Sequence, residues 1–94
     1  MKEKFGIVPE KIIEDKRLNS YAVLLYAAFA LYADDKGQCY PTTEQLMAKT
    51  RLCKNSFYKH KQLLIDCNYV VETKRRTEDG RFERNVYFLP LNKR

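Results

Sequence analysis

The chain has 94 residues, of which 45% are hydrophobic, and its formal net charge is +6. This length fits one domain with its own core, and this apolar content excludes a disordered chain. No uncharged stretch is long enough to span a bilayer, and no apolar run with signal-peptide flanks opens the chain, so we expect a soluble, cytoplasmic protein without a membrane partner.

The excess positive charge lies in the second half of the chain. Residues 1–50 contain seven lysines and arginines and seven acids, whereas residues 51–94 contain eleven and five. Such asymmetry favours nucleic acid or another anionic surface as the partner.

The first 17 residues carry weak structural signals. The apolar piece at residues 5–9 predicts a short edge strand, which Pro9 limits. Ile12 and Ile13 are expected to pack beneath the first main helix or to form part of a short turn.

Residues 21–33 read YAVLLYAAFALYA and contain no charged residue. Alanine and leucine favour helix, and Asn19 or Ser20 is a suitable N-cap. Because a helix that is apolar all round must be covered on most sides, we predict that it is the central core helix. Its aromatic residues exceed what a small core is expected to hide, and they are Tyr21, Tyr26, Phe29 and Tyr32. They are explained either by core and boundary packing or by a homodimer surface on this helix.

A short helix and a longer one follow a loop at residues 34–38. Thr42 and Gln45 have the spacing of a capping box, which predicts a helix over residues 42–49. The tight connection at residues 50–52 leads to a helix over residues 54–67, with Asn68 as its left-handed C′ residue. This order is helix-turn-helix geometry.

The longer helix has two different faces. Phe57, Leu64 and Cys67 share one side and are expected in the core. The opposite side carries Asn55, Tyr58, Lys59 and Gln62, with no acid among them. This face is explained either by a helix that lies in the DNA major groove or by an ordinary solvated basic surface.

The three cysteines form no CxxC pair, and their odd number argues against a disulfide framework. Cys53, His60 and Cys67 are seven residues apart, which places them about 10 Å from one another along a helix. This spacing is too long for one zinc ion. We therefore assign them to the core or its boundary, and we expect neither a metal nor another cofactor.

Two segments at residues 69–76 and 82–89 are rich in strand-forming residues and flank an Asp79-Gly80 turn. Five basic residues lie on the arms of this hairpin, namely Lys74, Arg75, Arg76, Arg81 and Arg84. Three helices followed by a basic hairpin predict an α+β fold of the winged-helix type.

The predicted domain is a single unit over residues 1–94. It divides into an N-terminal arm (1–17), a helical core (18–68), a wing (69–90) and a tail (91–94), with Pro90 at the end of the second strand.

An apolar, Tyr/Ala-rich first helix and three short motifs make the chain resemble the helix-turn-helix domain of phage and plasmid replication initiators and related bacterial regulators. The helix is Tyr21–Ala33, the motifs are Tyr40-Pro41-Thr42, Asn68-Tyr69-Val70 and Asn85-Val86-Tyr87, and the resemblance covers residues 18–90. Two residues depart from the family pattern. Cys53 stands where serine usually caps the recognition helix, which weakens or shifts that cap. Lys61 stands where an apolar residue is common, so we expect it to snorkel or the helix to be rotated.

The winged-helix interpretation implies a role for each candidate residue. The helix that begins at Lys54 enters the major groove, where Asn55 pairs with adenine and Lys59 with guanine. Ser56, Tyr58 and Gln62 contact bases or flanking phosphates.

Phosphate contacts are expected from two other segments. Thr42 and Thr43 lie at a helix N-terminus, although capping alone explains Thr42. The wing contacts the backbone or the minor groove through Lys74, Arg75, Arg76 and Arg81. Basic edge strands also resist aggregation, which is the alternative explanation for the wing.

Double-stranded DNA is therefore the expected partner, in replication initiation or transcriptional regulation, with host replication proteins as further candidate partners. The alternative is a protein-interaction module that uses the helix at residues 21–33. We do not expect an enzyme, because the chain has one histidine and no Gly-rich phosphate loop, HExxH or GxSxG motif.

Overall fold

A computed structural model describes residues 7–76 and 83–92, with the backbone alone for residues 74–76 and 83–85. The elements are α1 (Glu10–Glu14), α2 (Ser20–Tyr32), β1 (Gln38–Cys39), α3 (Thr43–Thr50), α4 (Lys54–Asp66), β2 (Val71–Arg76), β3 (Glu83–Phe88) and a 3-10 helix (Pro90–Asn92). This α+β arrangement of helices and a small antiparallel sheet confirms the predicted winged helix-turn-helix fold.

Helix α2 is the centre of the core, as predicted. Asn19 caps it, because its side-chain oxygen accepts a hydrogen bond from the backbone N–H of Ala22 at 2.9 Å. The helix packs against α3, α4 and β1. Its Phe29 ring contacts the ring of Tyr87 on β3 with centroids 4.7 Å apart, so α2 joins the helical layer to the sheet.

The aromatic residues of α2 divide unequally between core and surface. Tyr26 and Phe29 are fully buried, and Tyr32 is half-buried. Tyr21 is 57% exposed and Leu24 is 42% exposed. The core therefore hides more of the aromatic rings than we expected, and Tyr26 is excluded as a residue of a dimer surface.

The helix-turn-helix forms as the sequence predicts. Thr42 Oγ1 accepts from the N–H of Gln45 at 3.1 Å, while Gln45 Oε1 accepts from the N–H of Thr42 at 2.9 Å, which completes the capping box. Helix α3 ends at Thr50, and its C-cap residue Arg51 has a left-handed φ of 61°. This reversal places Leu52 in the core and starts α4 two residues later.

Helix α4 begins without a side-chain cap and ends with a backbone cap. Its N-cap residue Cys53 makes no capping hydrogen bond, in agreement with the weak cap expected there. At the other end Asn68 has a φ of 64°, which confirms its predicted left-handed conformation. The N–H groups of Asn68 and Tyr69 bond to the carbonyls of Ile65 and Leu64, each at 3.0 Å. This is a Schellman motif, and it aims the chain from α4 into β2.

The sheet has three antiparallel strands in the order β1-β3-β2. Strands β2 and β3 pair from Val71↔Phe88 to Arg76↔Glu83, which agrees with the predicted hairpin. The Asp79-Gly80 turn lies outside the described residues.

The third strand does not come from residues 5–9, so that prediction was wrong for its described part. Pro9 has no N–H to give to a sheet, and it is instead the N-cap of α1. The third strand is the two-residue β1, which follows a turn at Gly37, whose φ is 78°. The N–H of Leu89 donates to the Gly37 carbonyl at 2.7 Å and holds this turn against the end of the hairpin.

The C-terminal segment is not a free tail at residues 91 and 92. Asn92 is buried, and its side-chain Oδ1 accepts a hydrogen bond from the Tyr26 hydroxyl. Its Nδ2 donates to the carbonyl of Ile7 at 2.8 Å. One amide thus joins the 3-10 helix, α2 and the described start of the chain.

Residues before α2 are fastened to the end of α4. Ile12 is fully buried, whereas Ile13 is 62% exposed. The Tyr69 hydroxyl donates to Asp15 Oδ2 at 2.5 Å, and Arg17 Nη2 donates to the same oxygen at 2.7 Å. These hydrogen bonds, first that from Arg17 and then that from Tyr69, hold the pKa of Asp15 well below its usual range.

We predict that Leu64→Ala lowers the free energy of unfolding by about 2–5 kcal/mol, because Leu64 is fully buried in the core. The exposed Leu24 is the matched control, and Leu24→Ala should cost less than about 1 kcal/mol. Urea unfolding of both variants measures the difference. Equal losses would show that α4 does not bury the Phe57–Leu64 face.

The lowered pKa of Asp15 predicts an acid-dependent loss of stability. The stabilisation is complete above the pKa of the unfolded carboxyl, about 3.9, and is lost as the pH falls towards the lower folded value. Asp15→Asn should therefore be less stable than the wild type at pH 7, and this difference should shrink below about pH 4. Urea midpoints from pH 7 to pH 2 test this, with the exposed neighbour Glu14→Gln as the control. A constant difference across that range would refute it.

Candidate nucleic-acid interface

The outward face of α4 collects most of the polar residues that the sequence singled out. Burial of Phe57, His60 and Leu64 fixes which side of the helix faces the core. On the opposite side Asn55, Lys59 and Gln62 follow one another at intervals of four and three residues. Lys54 and Tyr58 are also exposed, and Tyr58 retains 43% of its accessible surface. The structure therefore places these five side chains within one exposed helical surface.

Ser56 lies at the inner edge of this surface rather than on it. It is half-buried, and its carbonyl oxygen is 2.7 Å from His60 Nδ1, with its hydroxyl 3.2 Å from the same nitrogen. A backbone carbonyl only accepts, so Nδ1 carries the proton. In the structure Ser56 therefore contacts His60 within α4, whereas the sequence predicted a contact between Ser56 and DNA.

His60 is buried at the junction of α4 and α2, as the sequence assignment to the core or its boundary requires. Its Nε2 lies 3.0 Å from the side-chain nitrogen of Asn19, which only donates, so Nε2 accepts. The ring of Tyr21 covers His60 at a centroid distance of 5.7 Å. One residue, Asn19, therefore both caps α2 and holds α4 against it.

The acidic end of α4 bounds the candidate interface. Gln62 donates from Nε2 to Asp66 Oδ1 at 2.8 Å, and both side chains are exposed. Asp66 continues the line of Asn55, Lys59 and Gln62 one turn further, so an acid lies at the end of this face that the sequence prediction did not include. Because a carboxylate repels phosphate, the surface suited to a polyanion is the N-terminal half of α4.

Lys61 behaves differently from both sequence expectations. Its side chain does not snorkel to solvent, because it is only 12% exposed, and its Nζ lies 2.8 Å from Glu72 Oε2 on β2. The same ammonium lies 5.0 Å from the centroid of the Tyr58 ring and 5.8 Å from that of Phe57. The Lys61 ammonium is therefore accommodated by the Glu72 carboxylate and by two aromatic rings. Helix α4 does not have to rotate to expose this side chain.

The N-terminus of α3 is only partly available to a phosphate. The hydroxyl of Thr42 is taken up by its capping hydrogen bond, and Thr43 is half-buried. The exposed carboxylate of Glu44 lies in the same first turn. Capping is therefore the role of Thr42 that the structure supports.

Two exposed cations that precede α4 in the chain were not among the residues predicted from the sequence. Lys49 is in the last turn of α3, and Arg51 is the left-handed residue that follows it. Their position within five residues of the start of α4 was the available signal. With Lys54 they give the turn and the start of α4 three exposed basic side chains.

The wing residues are placed by their backbone. Lys74, Arg75 and Arg76 lie on β2, and Arg75 is the register partner of Arg84 on β3. Arg81 lies outside the described residues. The hairpin thus places one basic position opposite another, whereas Lys74 is the register partner of Asn85 and Arg76 that of Glu83.

The cysteines have three different environments. Cys39 is buried, and this burial raises the pKa of its thiol to about 12. Cys53 is exposed, which corrects its assignment to the core or its boundary, and Cys67 is half-buried. Across residues 7–76 and 83–92, no three histidine, cysteine or acidic side chains are grouped closely enough to hold a metal ion. None of the helices in those residues has the length and apolar character that a membrane span needs.

A comparison with protein families supports the same part of the chain. The model of a family described as a helix-turn-helix domain matches residues 16–70, which contain α2, α3 and α4. Searches among curated proteins and among solved structures found no match.

Proposed function

Because this chain belongs to the helix-turn-helix domain family, we propose that it binds double-stranded DNA, with α4 in the major groove and the β2–β3 hairpin as a basic wing. One observation carries the proposal. Burial of Phe57 and Leu64 turns the side of α4 that bears Asn55 and Lys59 away from the protein. A helix side that only faces solvent does not require an amide and an ammonium group at these two positions.

The position of Asn55 suits base recognition. In helix-turn-helix proteins the N-terminal residues of the second helix contact the base edges. Asn55 is the second residue of α4, and Lys59 lies one turn further on the same side. The amide of Asn55 would pair with adenine, and the ammonium of Lys59 would reach O6 and N7 of guanine.

The exposed cations around α4 suit the DNA backbone. Arg51 lies in the turn before the helix and Lys54 is its first residue, while the basic positions of β2 lie beyond its end. Phosphate contacts at both ends would set the register of α4 in the groove. They would also make binding strongly dependent on salt.

Replication initiation or transcriptional regulation is the proposed setting. The resemblance to phage and plasmid initiators favours replication, and host replication proteins would then be further partners. Selection of bound sequences from random duplex would test this choice. Tandem direct repeats would suit an origin-binding initiator, whereas a single palindrome would suit a dimeric regulator.

A second candidate function, protein interaction or homodimerisation, is favoured by the outer side of α2. Tyr21 and Leu24 are exposed there. A shallow, mainly apolar cavity of about 170 Å³ is lined by Leu24, Ala27, Ala28, Leu31 and Lys49. If this surface is a homodimer interface, Leu24→Glu should convert a dimer into a folded monomer in sedimentation equilibrium. A wild-type protein that is already monomeric at high concentration would exclude the homodimer.

Base recognition and phosphate contact are separable by two substitutions. Asn55→Ala should weaken binding to the preferred site by about 1–3 kcal/mol and leave random duplex nearly unaffected. Arg76→Ala should weaken both and flatten the dependence of log K on log salt by about one unit. Paired titrations on preferred and random duplex at several salt concentrations measure both effects.

The control for these titrations is Lys11→Ala, which removes an exposed cation from α1, outside the helix-turn-helix and the hairpin. It should change neither the sequence preference nor the affinity by more than a small factor. If Asn55→Ala lowered both affinities equally, its assignment to base recognition would be wrong. If the wild type bound no duplex with a steep salt dependence, the proposed function itself would fail.

A further inference from the structure

Lys61 is the cation of α4 that the proposed DNA contacts do not use. Its side chain is 12% exposed, in contrast to the exposed Lys54 and Lys59 on the same helix. Its ammonium links α4 to β2, where the Glu72 carboxylate is 2.8 Å away. With its charge balanced and covered, Lys61 is poorly placed to bind phosphate.

The same ammonium also contacts an exposed ring of the candidate interface. It lies 5.0 Å from the centroid of Tyr58, a distance at which a cation is attracted to the face of an aromatic ring. Phe57 meets the ring of Tyr58 edge-on, with centroids 5.2 Å apart. Tyr58 is therefore held from beneath by a buried ring and from the hairpin side by Lys61.

We propose that Lys61 is a positioning residue for sequence recognition, which fixes the Tyr58 ring and the hairpin relative to α4 through its contacts with Tyr58 and Glu72. This inference rests on the proposed DNA binding and deepens it. Tyr58 is the specificity-determining residue whose position Lys61 fixes. The exposed ring of Tyr58 would make an apolar contact with a thymine methyl in the major groove.

An ion pair suits this positioning role because it restricts geometry. If the two covered charges of Lys61 and Glu72 separated, each would lose its partner at a cost in free energy. The ion pair therefore opposes sliding of β2 along α4. An apolar residue at position 61 would pack there without this directional restraint. Loss of the ion pair is therefore expected to change the choice between DNA sequences more than the total affinity for DNA.

Glu72→Gln distinguishes positioning from simple electrostatics. Removal of an acid from a DNA-binding protein strengthens attraction to phosphate, so affinity for random duplex should rise or stay equal. Loss of the ion pair should nevertheless weaken the preferred site. We expect the ratio of preferred to random affinity to fall about tenfold, the effect of one misplaced base contact. Glu14→Gln, which removes an exposed acid from α1, should leave this ratio unchanged.

Two further variants keep the net charge of the wild type. The double variant Lys61→Met with Glu72→Met replaces the ion pair by apolar side chains, a change that folded proteins often tolerate. It should lower the affinity ratio about tenfold, while the salt dependence on random duplex stays unchanged. Lys61→Arg retains a cation for both Glu72 and Tyr58, so its ratio should stay within about threefold of the wild type.

The measurement is the same titration on preferred and random duplex, with thermal unfolding of each variant as a check of folding. The inference is overturned if Glu72→Gln strengthens both duplexes equally, if the double variant keeps the wild-type ratio, or if the wild type binds DNA without any preference. A wild type that binds no duplex at all defeats the proposed function instead. The two failures are therefore distinguishable.

Discussion

The burial of Phe57 and Leu64 beneath α2 is the constraint on which the rest of the structure depends. Both side chains are fully buried, and together they fix the rotation of α4 about its own axis. That rotation decides which polar residues face outward, since side chains four and seven positions apart share a side. The left-handed residues Arg51 and Asn68 then set the direction in which the chain reaches α4 and leaves it. A helix rotated by one residue would present a different set of donors to any partner.

Polar contacts join the segments that the small core does not hold by itself. The buried side-chain amide of Asn92 accepts a hydrogen bond from the Tyr26 hydroxyl through its oxygen and donates one to the Ile7 carbonyl through its nitrogen. Asn19 serves the N-cap of α2 and the ring of His60 in the same way. The contacts give hydrogen-bond partners to the buried side chains of Asn92 and His60, which would otherwise cost free energy. The side chains of Asn92 and Asn19 therefore join separate segments of the chain and at the same time complete the hydrogen bonding of nearby polar groups.

The cations of α4 divide into two kinds by their surroundings. Lys54 and Lys59 are exposed, whereas Lys61 is covered and paired with Glu72. Net charge treats all three alike, although only an exposed ammonium can reach a phosphate without first losing an internal partner. Asp66 sets a further limit, because it places a carboxylate at the far end of the outward face. The surface suited to DNA is therefore smaller than the lysine content of the helix indicates.

The sequence alone determined the elements whose causes are local. The capping box at Thr42, the left-handed Asn68 and the hydrophobic face of α4 follow from residues within a few positions of one another, and so do the helices and the hairpin strands. Only the tertiary structure decided the contacts between distant segments. The pairing of Lys61 with Glu72, the burial of Asn92 and the origin of β1 at residues 38–39 rather than near the N-terminus are of this kind. Each depends on which surfaces meet once the core has formed, and this information is absent from any local pattern.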